Sequence, residues 1–195
     1  PRSTLFPYTT LFRSLGSFDE AFLRLPPEVI ITSMKEHQRY FPVFKDGKLI
    51  NKFVVVSNAL TDDFSKVIAG NETVLRPRLE DGLFFWDNDL KNGLSTKGLE
   101  KVTFFKGLGT VADKREREGK IARTLFDKFE VDADKAELTR AVEIAKADLM
   151  SEMVYEFTEL QGLMGGYYAA EQGETKAVAT AISEQYLPDG EDSTL

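Results

Sequence analysis

The sequence has no cysteine and a single histidine, His37. Disulfides, thiolate zinc sites and cysteine nucleophiles are therefore excluded, and a reducing, cytoplasmic setting is expected. One histidine also excludes multi-histidine metal sites and an intact metal-dependent phosphohydrolase centre. No apolar run approaches the roughly 18 residues of a membrane span. Positive charge is in deficit, with 25 basic against 32 acidic residues, net −7. Wholesale nucleic-acid binding needs a basic surface, so only a local one is available. Residues 91–140 carry 12 basic and 9 acidic groups, and residues 141–195 carry 2 and 11. The middle segment is the RNA candidate, and the acidic last segment favours protein contact. What remains is ordinary: 42% hydrophobic and 29% charged residues over 195 positions, enough for a core and too apolar for disorder.

Pro1 to Ser14 reads PRSTLFPYTTLFRS. It has no signal-peptide shape, and back-translation matches, residue for residue, a string resembling a common DNA-sequencing adaptor. Residues 1–14 are therefore expected to be an adaptor-derived artefact, dispensable for the fold, on an internal fragment of a longer protein. Pro26 and Pro27 suit a helix start, with the helix running on through Glu36. Phe41–Phe44 and Lys52–Ser57 read as two strands around an Asp46-Gly47 hairpin turn. No other strand is expected. Asp62 or Asp63 caps a helix through Ala69, and Pro77 sits in the first turn of another or kinks it. Gly93 to Gly98 reads as a loop and domain boundary. A basic helix follows over Val111–Phe129, with Val111, Ala122, Leu125, Phe126 and Phe129 on one side. Leu138, Val142, Ala145, Leu149, Met153, Phe157, Leu160 and Met164 are spaced 4, 3, 4, 4, 4, 3, 4. This predicts one continuous amphipathic helix, with Leu149 and Phe157 as core anchors, stopped by Gly165-Gly166. Ala177–Tyr186 reads as a last helix, ended by Pro188.

The polar constellations weigh mostly toward structure. Asp148, Glu152, Tyr155 and Glu159 fall on one edge of the expected long helix. Carboxylates at i and i+4 can share a hard cation, but no histidine or second acidic cluster completes a site, so a solvated or partner-facing edge is expected. Lys114, Arg117, Lys120, Arg123 and Lys128 could reach an RNA backbone. Asp113, Glu116 and Asp127 share their face, and an ion-paired surface is the leading expectation. Phe105 to Thr110 holds two glycines near a helix start, without the Gly-Lys-Ser/Thr of a phosphate loop, and reads as a structural turn. His37, with no nucleophile near it in sequence, reads as a hydrogen-bonding structural residue.

Several segments, in order and spacing from about Gly16 to Pro188, resemble the β subunits of bacterial heterotetrameric glycyl-tRNA synthetases. They are MKEHQRYFPV (34–43), GNE (70–72) with VLRPRL (74–79), FF (104–105), LGT (108–110) and DK (113–114). KADLM (146–150), MVYEFTELQG (153–162), MG (164–165) and EQYLP (184–188) complete the set. In that family the class II catalytic core, with its ATP, magnesium and glycine sites, lies on a separate α subunit, and two α and two β subunits assemble. The resemblance implies that this chain binds no cofactor itself and has no catalytic residues. It also implies an α-subunit partner, tRNA(Gly) as RNA partner, and no membrane.

The fold class implied is α+β, predominantly α. Residues 15–92 would end an editing-type module resembling that of phenylalanyl-tRNA synthetase's β subunit. Residues 98–188 would form a truncated HD-like helical domain, and 189–195 a frayed tail, with no anticodon-binding domain. An HD hydrolase needs histidines beside its aspartate, and Asp148 has none in sequence. Arg76, Arg78, Lys106 and Arg117 are the candidate tRNA contacts, being basic and near the expected junction. The alternatives are a degenerate HD-type phosphohydrolase or an inter-subunit scaffold without RNA contact.

Overall fold

A computed structural model describes residues 12–58, 61, 63–129 and 132–187. The fold is α+β and mostly helical. The first elements are β1 (Phe12–Ser17), a 3-10 turn (Glu20–Arg24), α1 (Pro27–Gln38), β2 (Phe41–Lys45), β3 (Lys48–Ser57) and α2 (Phe64–Asn92). The chain divides into two compact units, residues 1–84 and 85–195. That division falls inside α2 rather than in the expected 93–98 loop.

In the first unit an antiparallel sheet has the order β1-β3-β2. The hairpin forms where Asp46-Gly47 predicts it, with both residues at positive φ. The strand β1 was not expected. It includes Phe12, Arg13 and Ser14, which pair with Ser57, Val56 and Val55. Backbone pairing is indifferent to side-chain type, so the end of the adaptor-like segment is part of the sheet. The buried Ser14 hydroxyl has no hydrogen-bond partner. Residues 1–11 lie outside the described residues. Phe53, fully buried, stacks on Tyr40 with ring centroids 4.9 Å apart. On α1, Val29, Ile30, Ser33 and Met34 are buried, the i, i+1, i+4, i+5 set that one helix face presents.

The helix α2 runs unbroken through Pro77 for 29 residues, where two helices were expected. Proline removes one i→i−4 bond, while Leu75 and Leu79 on either side are fully buried and hold the helix through that defect. Asp63 accepts from the Ser65 amide at 3.0 Å and caps its start; Asp62 lies outside the described residues. The Asn71-Glu72 pair is explained by the same unit. Tyr40 donates to Asn71 at 2.7 Å, and Glu72 accepts from the Ser17 amide and hydroxyl at 2.7 and 3.0 Å.

The second unit continues with β4 (Thr103–Phe105), β5 (Gly109–Thr110), α3 (Val111–Lys128), α4 (Lys135–Ile144), α5 (Glu152–Glu156), α6 (Leu163–Glu171) and α7 (Lys176–Ser183). Residues 105–110, expected to form a structural turn, close the small β4–β5 hairpin. The helix α3 forms as expected, but its apolar side is divided. Val111 is buried, whereas Ile121, Leu125 and Phe129 are more than half or half exposed.

The expected long helix does not exist. Its stripe is distributed over α4, a 3-10 turn (Ala147–Met150), α5, a second 3-10 turn (Thr158–Leu160) and α6. Two features break it. Ser151 is extended and caps α5 by accepting from the Val154 amide, and Gly162 sits at φ 84°, where only glycine is comfortable. Gly165 and Gly166 do not stop a helix but lie buried inside α6. A β-carbon on Gly166 would come within 2.8 Å of the Ala179 carbonyl oxygen, so glycine is there to let α7 approach. Met153, Phe157, Leu160 and Met164 are buried as expected, whereas Leu149 is only half-buried. Phe157→Ala should therefore cost about 3–5 kcal/mol and Leu149→Ala about 1 kcal/mol, the scale of partial burial. Equal shifts in urea midpoint would show that Leu149 anchors the core after all. The expected tail, 189–195, lies outside the described residues.

Candidate functional site

The four candidate tRNA contacts divide between the two units. Arg76 is exposed and Arg78 half-buried on α2, two residues and so about 200° apart around the helix. Lys106 and Arg117 belong together in the second unit, both exposed, one in the β4–β5 turn and one on the helix that follows it. The junction of hairpin and helix is tightly made. Thr110 caps α3 by accepting from the Asp113 amide at 3.2 Å, and Asp113 accepts in return from the Thr110 amide at 2.7 Å and hydroxyl at 2.8 Å. These Thr110 hydrogen bonds hold the Asp113 carboxyl below its ordinary range. Gly109, at φ 88°, must be glycine, because a β-carbon there would lie 2.4 Å from Asp113 Oδ2.

Part of the α3 surface is ion-paired as expected. Lys114 pairs with Glu118, and Lys120 with Glu116 at 2.8 Å. Asp127 instead holds Lys135 of α4 at 2.6 Å. Lys106 and Arg117 take part in none of these pairs. His37 is exposed in the last turn of α1.

The acidic stripe is not what its spacing suggests. Asp148 is fully buried, because the backbone breaks beside it and turns it inward. Its Oδ2 accepts from the Gly162 amide at 2.5 Å, and the Gly165 amide also donates to it. Burial raises the Asp148 pKa against these bonds and against the Lys146 charge. Lys146 is itself buried, which lowers its pKa. Its ammonium donates to Gln185 Oε1 and to the Tyr186 hydroxyl at 2.9 Å, and lies 4.1 Å from the Tyr186 ring centroid. Gln185 donates in turn to the Ala145 carbonyl at 2.7 Å. The segments KADLM and EQYLP, 34 residues apart in sequence, are thus two halves of one buried polar cluster.

A second buried carboxylate, Asp89, carries no signal in the sequence. It accepts from the Glu152 amide at 2.9 Å, the Met153 amide at 3.0 Å and the Tyr168 hydroxyl at 2.7 Å. Burial and the Asp89 hydrogen bond both push the Tyr168 pKa up. Asp89, Ser95, Lys97, Glu152 and Tyr168 border a cleft of about 260 Å³. Phe85, Leu149, Met150 and Tyr155 line a shallower groove of about 480 Å³ with Glu152 and Glu156. Among the described residues, no three His, Asp or Glu side chains are grouped to hold a metal ion. None of the helices described is long and apolar enough to cross a membrane.

Residues 9–195 match a family model described as glycyl-tRNA synthetase beta subunit. The chain is 54% identical over 192 residues to a protein of Helicobacter pylori named glycine–tRNA ligase beta subunit, covering 93% of this chain and 27% of that relative. Proteins of the same name from Desulforamulus reducens and Streptococcus gordonii are 50% and 48% identical over 177 and 195 residues. These alignments cover 89% and 98% of this chain and 26% and 28% of those relatives. The chain thus spans about a quarter of the length of the curated relatives it matches. With a family model matching nearly its whole length and relatives about half identical across it, the chain belongs to the glycyl-tRNA synthetase beta subunit family.

Proposed function

We propose that this chain is a noncatalytic, tRNA-handling part of a glycine–tRNA ligase beta subunit, supporting glycyl-tRNA aminoacylation in the cytoplasm. Its partners are the α subunit, in an assembly of two α and two β subunits, and tRNA(Gly). ATP and magnesium act on the α subunit, and this chain activates no glycine by itself. The observation that carries the reading is family membership combined with a local basic surface, the β4–β5 hairpin and α3, in a chain that is otherwise acidic. Arg76, exposed on α2, and Arg78, half-buried on another side of that helix, remain separate candidate phosphate contacts within the first unit. The acidic segment 141–195 is the side offered to protein.

The phosphohydrolase alternative has a specific observation against it. A metal-bridging aspartate must present its oxygens to an ion from solvent, and Asp148 is fully buried, with Oδ2 engaged by backbone amides and Oδ1 enclosed without a partner.

Titration of the chain with tRNA at several salt concentrations tests the proposal. Binding should weaken steeply with salt. Lys106→Ala and Arg117→Ala should each lower the slope of log K against log salt by about 1. Salt-independent binding, or none, would leave the scaffold alternative standing. The same preparation should give no glycine-dependent ATP–pyrophosphate exchange.

A further inference from the structure

The tip of the β4–β5 hairpin exposes more apolar surface than a turn needs. Phe105 is 63% exposed and Leu108 55%. The exposure is built into the backbone. Phe105 pairs across the strands with Gly109, which has no side chain to cover the ring. The turn is closed by the Leu108 amide donating to the Phe105 carbonyl at 2.9 Å, with Gly107 at φ 90°. The neighbouring Phe104 differs, since Lys114 stands 5.3 Å from its ring centroid. The hairpin is also anchored rather than loose: the Val111 amide donates to the Val102 carbonyl at 2.8 Å, and the Thr110–Asp113 cap fixes its exit into α3. An aromatic ring is thus held outward on a rigid mount.

The charges around the hairpin indicate what the ring meets. The acidic groups nearby are engaged within the chain. Glu100 accepts from the Gly98 amide at 2.9 Å, Asp113 is held by the cap, and Glu116 and Glu118 pair with Lys120 and Lys114. Lys101 and Arg117 lie close enough to Glu100 and Asp113 to help lower the pKa values of those carboxyls, whereas Lys106, beside the ring at the tip, takes part in none of these contacts. A flat aromatic ring with the Lys106 cation beside it suits a nucleic-acid strand with an unstacked base. An apolar protein surface would need neither the ring's planarity nor the charge.

We propose that Phe105 is a stacking platform for an unpaired base of the bound tRNA, with Lys106 at the adjoining phosphate. This rests on the tRNA-handling reading above and names the contact within it. Phe105→Leu keeps an apolar side chain but removes the ring, and Phe105→Trp keeps a ring. In titration of the chain with tRNA, Phe105→Leu should weaken binding about ten-fold, the scale of one lost base–aromatic stack. Its melting temperature and salt slope should stay those of the parent. Phe105→Trp should bind as tightly as the parent. Its emission should be quenched at saturation, readable because the natural tryptophan, Trp86, is only 7% exposed.

Equal affinity of the Leu variant and the parent, or unchanged emission of the Trp variant at saturation, overturns the stacking role. If Lys106→Ala still reduces the salt slope in that case, the tRNA-handling reading survives. Absence of tRNA binding in parent and variants alike overturns both. A fall in melting temperature for Phe105→Leu would show that the ring packs within the fold, and also overturns the proposal.

Discussion

Asp148→Ala is expected to destabilise the second unit by about 3–5 kcal/mol, the range for breaking a buried charged network. Two buried amides, of Gly162 and Gly165, lose their acceptor, and an unsatisfied buried donor costs about 1–3 kcal/mol. Asp148→Asn retains an acceptor of the same shape and should cost much less. The pH dependence has a definite sign. Burial raises the folded pKa of Asp148 above its unfolded value, so its proton is held more tightly in the native state. The stabilisation linked to that proton is complete below the unfolded pKa, about 3.9, and is lost as pH rises through the folded value. The parent should therefore lose ground to Asp148→Asn as pH rises through that window. Urea midpoints of both proteins across the pH range measure this. A parallel pair of curves would mean that the carboxyl titrates normally. Lys146, the cation that acts on Asp148, is retained in both proteins.

The other large effect is expected at Asp89. Asp89→Ala strips the acceptor from three donors at once, the Glu152 and Met153 amides and the Tyr168 hydroxyl. A loss of about 3–5 kcal/mol is expected. Tyr168→Phe removes one of those bonds and should cost about 1–2 kcal/mol. Because the two residues share a hydrogen bond, the double variant should be less destabilised than the sum of the singles. Additivity within about 0.3 kcal/mol would show that the Tyr168–Asp89 bond contributes nothing. Trp86, stacked on Tyr168 at 5.2 Å, provides a fluorescence signal for the unfolding.

The parts of the fold that were legible in sequence have local causes. Asp46-Gly47 can make its turn unaided, Pro26-Pro27 starts α1 through backbone geometry, and Thr110 with Asp113 starts α3 through a capping box. Half of β1, FRSLGS, falls in the adaptor-like segment expected to lie outside the fold, and its alternation of burial uses Ser14 and Gly16, which carry no apolar signal. The long stripe misled for a deeper reason. A spacing of three or four residues also arises when successive short helices and turns each present one side to a common core. The marker of that break is Gly162, at the one place in the stripe where φ is positive. Where α4 ends and the 3-10 turn begins, Asp148 leaves the solvent edge that a straight helix would give it, and the turn at Gly162 brings the amides of Gly162 and Gly165 to it. Nothing local marks Asp89, whose partners lie 63 to 79 residues away. Basic character and nearness to the expected junction single out the tRNA candidates, and neither says which unit a residue belongs to. Arg76 and Arg78 fall in the first unit, Lys106 and Arg117 in the second.

The cluster around Lys146 constrains the order in which this unit can be made. Its ammonium finds Gln185 and Tyr186 only 39 and 40 residues later in the chain. During synthesis, a ribosome that has released Lys146 has not yet released its partners. Until Tyr186 emerges, the lysine gains nothing by leaving water, and the place it will occupy has no lid. The turn at 145–150 is therefore expected to stay open on the nascent chain and to close late, in one step with the docking of α7. A ribosome-stalled series of lengths across this region should show protease resistance appearing abruptly once residue 186 clears the exit tunnel, not gradually as α4, α5 and α6 emerge.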